Sequence, residues 1–147
     1  MCGIFSYLGQ DVGPHDLFES FQTIQPRGPD FTTLEQVAEG RWLGFHRLAI
    51  MDPTPAGNQP FESEGVYLVC NGEIYNHEQL AAEHGFDLQS GSDCEVILHL
   101  YRKVGIEATV KALDGVFAFV IVDGEDVYAA RDPLGIRPLF FGTHTTD

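Results

Sequence analysis

Residues 116–122 read Val-Phe-Ala-Phe-Val-Ile-Val, apolar at every position and bounded by Asp114-Gly115 and Gly124-Glu125. A strand sends successive side chains to opposite faces, so a run without a polar position needs both faces covered. Residues 66–70, Val-Tyr-Leu-Val-Cys, form a second short strand of this kind. Such strands belong inside a layered fold in which other elements pack on each side. Neither run approaches the roughly 18 to 20 apolar residues of a membrane helix.

The elements around these strands are legible from periodicity and punctuation. Ile4–Leu8 is a first strand ended by Gly9, and Val127–Arg131 is a strand entered through the Gly124-Glu125 turn. Phe31–Val37 and Trp42–Ile50 are strands joined at Glu39-Gly40, and a last strand is expected around Leu139–Phe141 after the turn at Asp132-Pro133-Leu134-Gly135. Pro14 opens a helix with Leu17, Phe18, Phe21 and Ile24 on one face, before Pro26-Arg27-Gly28-Pro29-Asp30 breaks the chain. Asn76 with Gln79, and Ser92 with Glu95, carry capping-box spacing and predict two further helix starts. The second of these helices places Val96, Ile97, Leu100, Tyr101 and Val104 on one side, and Ile106–Leu113 is a third. Met51–Gly65 is a long loop with three prolines and two glycines, a length that favours a functional role. The sum is an α+β domain whose hairpin-joined strands are mainly antiparallel.

Charge removes several partner classes. With 22 Asp+Glu against 8 Lys+Arg, the formal charge is -14, which repels phosphate backbones and excludes nucleic acid as an expected partner. The first residues, Met-Cys-Gly-Ile-Phe-Ser, have no basic flank and do not form a secretory signal. Three cysteines without a C-x-x-C spacing argue against a disulfide framework or a zinc site, so free thiols in a reducing cytoplasm are expected, with no membrane association. Cys70 and Cys94, set among apolar neighbours, read as small buried hydrophobes.

Cys2 differs from them because removal of Met1 would leave thiol and free α-amine on one residue. An α-amine of pKa about 8 beside a thiol of about 8.5 can serve as general base for its own side chain. Position alone also allows an inert small second residue. Asn71-Gly72 follows a buried strand and reads either as an N-G turn or as a two-donor oxyanion hole. Arg47, in a largely apolar strand, either faces water or clamps a carboxylate. Asp93 at a helix start is favoured there in any case. An arginine with nearby Glu73 and Asp93 would together suit a zwitterion such as a free amino acid.

Read in order, MCGIF, RGPD, FHRLAIMD, NGEIYNH, GSDCEV, LDGVFAFV and ARDPLGIRPLF span nearly the whole chain. In this order the chain resembles class II glutamine amidotransferase domains, and among these the N-terminal glutaminase part of glutamine-hydrolysing asparagine synthetase. The resemblance implies a four-layer αββα sandwich of N-terminal nucleophile hydrolase type. It implies that Cys2 attacks the side-chain amide of glutamine and that Asn71 and Gly72 hold the oxyanion. Arg47 would then meet the substrate α-carboxylate, and Glu73 and Asp93 would lie near its α-ammonium. Leu48, Ala49, Ile50 and Met51 would line the pocket with backbone groups. The implied reaction gives glutamate and ammonia through a γ-glutamyl thioester, the ammonia serving ATP-dependent asparagine synthesis from aspartate.

Two departures qualify that expectation. The family usually writes H-R-G-P-D where this chain has Pro26-Arg27-Gly28-Pro29-Asp30, so an imidazole near the nucleophile is replaced by a stiff ring. The chain also ends after the P-L-F stretch, without the family's further helix and strands and without a phosphate-cradling Gly-rich loop. Residues 1–147 are therefore expected to be one glutaminase-type domain, shortened at its C-terminus. No cofactor or metal is expected in it, and ATP and Mg belong to a synthetase domain or chain acting as partner. An open strand edge would favour a homo-oligomer. A glutamine-binding module with little activity, or a glutaminase serving a sugar or peptide acceptor, are the alternatives.

Overall fold

In the computed structural model, which describes residues 1–145, the two apolar runs become neighbouring strands at the centre of one sheet. The elements in chain order are β1 (Gly3–Leu8), α1 (Pro14–Gln22), β2 (Phe31–Ala38), β3 (Arg41–Arg47), β4 (Phe61–Ser63) and β5 (Val66–Ile74). Then follow α2 (His77–His84), α3 (Glu95–Val104), α4 (Ile106–Ala112), β6 (Gly115–Asp123) and β7 (Asp126–Arg131). The strands form a three-stranded sheet of order β1-β3-β2 and a four-stranded sheet of order β4-β5-β6-β7, all pairs antiparallel.

The doubly apolar character of β6 follows from what lies on each side of it. Phe117, Phe119 and Ile121 point to one face and join Leu68 and Cys70 of β5 in a core closed by Val96, Ile97, Leu98 and Leu100 of α3. Val120 and Val122 point the other way and meet Val69, Leu43 and Phe45, with Cys2 and Ile4 packed alongside. That second cluster joins the two sheets face to face. On the outer face of the smaller sheet Phe21 of α1 is fully buried and stacks on His46 with ring centroids 3.7 Å apart.

His46 reaches this position as a neutral group. Thr32 Oγ1 lies 2.8 Å from its Nδ1, and Nε2 lies 3.2 Å from the Phe21 carbonyl. The carbonyl can only accept, so Nε2 carries the proton and Nδ1 accepts from the threonine hydroxyl. Burial pushes this imidazole below its usual value, opposed by the Phe21 carbonyl.

Several expectations need correction. Leu139–Phe141 is not a strand: among the described residues it pairs with nothing, and Phe140 and Phe141 are almost fully exposed. β3 ends at Arg47 rather than Ile50, because Arg47 turns into the following loop. Asn71-Gly72 is not a turn but lies within β5, where the ladder with β6 runs on to Ile74. The long loop contains β4, which escaped notice for its three-residue length. Neither capping box forms. The Asn76 amide instead bonds the Ala112 carbonyl and the Asp114 N–H, and the Glu95 carboxylate takes the N–H groups of Gln89 and Ser90. Phe18 is exposed, so the inner face of α1 rests on Leu17 and Phe21. Cys70 and Cys94 are buried free thiols, as expected.

Candidate active site

The ends of β1, β3 and β5 and the start of α3 enclose a cavity of about 410 Å3 lined by Cys2, Arg47, Leu48, Ile50, Met51, Asn71, Gly72, Glu73 and Asp93. Nine of the ten residues singled out in the sequence thus meet in one place. Ala49 does not line it; its N–H is held by Asp30 Oδ2 at 2.8 Å on the other side of the chain.

Cys2 enters the cavity from the start of β1. Its Sγ lies 3.4 Å from the Leu48 N–H and 3.7 Å from the Leu48 carbonyl. Burial pushes the thiol above its usual value, while the Leu48 N–H, the chain's amino group and the charge of Arg47 pull the other way. The thiol is therefore protonated at neutral pH, and a nucleophilic role needs a base. Arg27 fixes the residue from behind, its Nε–H donating to the Cys2 carbonyl at 3.0 Å. Pro26, in the 3-10 turn Gln25–Arg27, leaves that bond intact.

The backbone of β5 supplies the opposite wall. Gly72 faces Phe117 across the ladder, yet the Phe117 N–H and carbonyl turn away to Asp132, at 3.2 and 2.8 Å. Gly72 is thus in a non-hydrogen-bonded pair, and the N–H groups of Cys70, Gly72 and Ile74 all point away from β6. Gln59 Oε1 takes the Cys70 N–H at 2.6 Å and Asp93 Oδ2 takes the Ile74 N–H at 2.5 Å. Between them, the Gly72 N–H has no acceptor among the described residues. A side chain at Gly72 would collide with the Val116 carbonyl and come within 2.7 Å of Phe117 Cα, so the close approach of β6 requires glycine. The Asn71 side chain is buried beside it and bonds no described protein group. An uncommitted side-chain amide next to an uncommitted backbone N–H can receive one oxyanion.

The charged groups divide the cavity. Arg47 is buried and gives its Nη1 hydrogens to the Thr54 carbonyl and Asn58 Oδ1, both at 2.7 Å, and its Nη2 hydrogens to the Met51 carbonyl at 3.1 Å and the Asp52 carbonyl. Four of its five donors therefore shape the loop, and no carboxylate among these acceptors neutralises the charge. Asp93 is raised above the ordinary carboxylate value by burial, partly offset by the Ile74 N–H. Glu73 is exposed and paired with Arg137, its Oε1 lying 3.2 Å from Nη2. Arg137 also donates to Met1 Sδ at 2.8 Å and so lies across the cavity beside the start of the chain.

Sequence inspection passed over Gln59 and Arg137, although both line the cavity. Gln59 sits in a polar loop with nothing to mark it as buried. Arg137 stands in the ARDPLGIRPLF stretch, but its partners are 64 and 136 residues away in the chain. Cys70 and Cys94 also line the cavity, and the Cys94 thiol donates to the Gly72 carbonyl at 3.6 Å. Interaction with the Cys70 thiol, followed by burial, holds the Cys94 thiol well above its usual value, so it is inert.

The chain is similar to known proteins. The chain is 44% identical over 147 residues to human asparagine synthetase (glutamine-hydrolysing), which it matches over 95% of its own length. It is 41% identical over 151 residues to the probable asparagine synthetase (glutamine-hydrolysing) of Acanthamoeba polyphaga mimivirus. It spans 26% and 28% of those two proteins, about a quarter of the length of the curated relatives it matches. Among solved structures, glutamine phosphoribosylpyrophosphate amidotransferase from B. subtilis superposes with a TM-score of 0.78 at 23% identity, over 93% of this chain and 38% of that one. This last likeness establishes the mixed α+β fold with antiparallel sheets. Residues 1–147 match the family model of the glutamine amidotransferase domain from end to end, and the chain belongs to that family.

Proposed function

We propose that this domain hydrolyses the side-chain amide of glutamine to glutamate and ammonia, with Cys2 as nucleophile. The observation that carries the reading is the convergence on one cavity of a held thiol and an uncapped Gly72 N–H beside an unbonded Asn71 amide. Removal of Met1 gives Cys2 a free amine within reach of its own thiol, and a protonated buried thiol needs such a base. Cys2 Sγ then adds to the amide carbon as its proton passes to the amine. The oxyanion forms between Asn71 and Gly72. The C–N bond breaks as the amine returns the proton to the departing nitrogen, which leaves as ammonia. Water attacks the resulting γ-glutamyl thioester, and the thiol recovers its proton as glutamate is released.

The charged walls supply orientation. Arg47, with its charge unneutralised by the loop, draws the α-carboxylate, and Asp93 with Glu73 draws the α-ammonium. The layers α1, small sheet, large sheet and α2–α4 are read as the αββα sandwich of N-terminal nucleophile hydrolases. The ammonia is assigned to ATP-dependent asparagine synthesis from aspartate, carried out with ATP and Mg by a synthetase domain or partner chain. The test is ammonia release from glutamine by the purified protein at low and high salt. Release at both supports the reading; glutamine binding by calorimetry without ammonia release replaces it with a binding module.

A further inference from the structure

We infer that Gln59 is the positioning residue of the oxyanion hole, holding β5 in register while keeping the Gly72 N–H open; the inference rests on the glutaminase reading above. β4 pairs with β5 from Ser63 opposite Val66 to Phe61 opposite Leu68. Continued at the same register, the ladder would set residue 59 against Cys70 and residue 57 against Gly72. A backbone neighbour at that second position would cap the Gly72 N–H. The chain prevents this. Residues 55–57 leave the strand direction for a 3-10 helix, and no carbonyl of that segment accepts the Gly72 N–H.

In place of backbone, the buried Gln59 side chain completes the pairing at Cys70. Its Oε1 accepts from the Cys70 N–H at 2.6 Å and its Nε2 donates to the Cys70 carbonyl at 3.2 Å. One primary amide thus reproduces both bonds of a ladder rung and goes no further. The residue after Cys70 is Asn71, and the next is Gly72, so the rung lies immediately before both oxyanion donors. The donor-acceptor pair requires an amide of this length: glutamate keeps the acceptor and loses the donor, and methionine loses both.

The test compares Gln59→Glu and Gln59→Met with wild type. A displaced oxyanion hole costs kcat about a hundredfold, with KM for glutamine little changed because the substrate α-groups are held elsewhere. Binding of glutamate γ-semialdehyde, whose thiohemiacetal with Cys2 places an oxyanion in the hole, weakens by the same factor as kcat. Unchanged kcat in both variants, or a loss confined to KM, overturns the proposal. Amide hydrogen exchange gives an arm that does not need activity. Wild type protects the Cys70 and Ile74 N–H groups and leaves Gly72 fast, and Gln59→Met loses protection at Cys70 while Asn71 stays protected by β6. If wild type releases no ammonia, the glutaminase reading fails, and protection retained at Cys70 in Gln59→Met overturns the role of Gln59.

Discussion

Arg27 donates its Nε–H to the carbonyl of Cys2, joining the break after α1 to the first residue of the site across 25 positions of chain. The approach is fixed by Gly28, where any side chain would strike the His46 carbonyl, so the chain lies directly on β3. Arg27→Ala frees the Cys2 carbonyl and is expected to let the proposed nucleophile drift from Leu48. The expected result is about a tenfold to hundredfold lower kcat for ammonia release, with the melting temperature shifted by a few degrees at most. A full retention of kcat contradicts this anchoring role.

Asn71 separates catalysis from stability. Its amide bonds no described protein group, so Asn71→Ala is expected to leave the fold intact while removing one of the two proposed oxyanion donors. kcat is expected to fall by about 10² to 10³-fold with an unchanged melting temperature, both measured on one preparation.

Arg47 is the converse, since its guanidinium organises residues 51–58 through four donors. Arg47→Lys keeps the charge but not the planar fork. The expected outcome is both a raised KM for glutamine and a lower melting temperature. A variant with only one of these defects would show that loop order and substrate contact are separable.

Acid stability has a definite sign. Burial opposes ionisation of Glu95, but N–H groups of Gln89 and Ser90 and the Ser90 hydroxyl hold its carboxylate below the usual range. Asp132 is likewise held down, against burial, by the N–H groups of Arg137, Ile136 and Phe117. Asp52 is lowered by the Thr54 hydroxyl and the Gly91 N–H. Carboxylates depressed in the folded state stabilise it above the unfolded value of about 4 and lose that contribution as pH falls through the folded values. Asp93, raised by burial, acts in the opposite direction. His46, held neutral by burial, adds a loss that begins as pH falls below its unfolded value of about 6.5. Urea midpoints are therefore expected to decline gently below that pH and more steeply below about pH 4. Glu95→Gln should blunt that fall.

What the sequence disclosed and what it hid divide along physical lines. The covering of β6 on both faces was legible because a strand with no polar position has one solution. The cavity's first members were legible because Cys2, Arg47, Asn71 and Asp93 each stood in a recognisable motif. The continuation of β5 through Asn71-Gly72 was not, because a local turn signal yields to a ladder formed with residues more than 40 positions away. The capping signal at Asn76 failed for a related reason, its amide having been drawn to Ala112 and Asp114. At Ser92 the Glu95 carboxylate is taken by the preceding loop at Gln89 and Ser90. Gln59 and Arg137 carried no local signal, and only the folded chain brings them to the cavity. Leu139–Phe141 looked like a strand by composition, but composition supplies no partner edge.

The proposed reaction requires that Cys2 form a covalent bond to the glutamyl group. Intact-mass measurement of protein mixed with glutamine and quenched in acid tests it directly. The expected species is a chain lacking Met1 that gains the mass of one glutamyl group, with the adduct mapping to Cys2 and absent, along with ammonia release, from Cys2→Ala. Ammonia release at the wild-type rate from Cys2→Ala would contradict it.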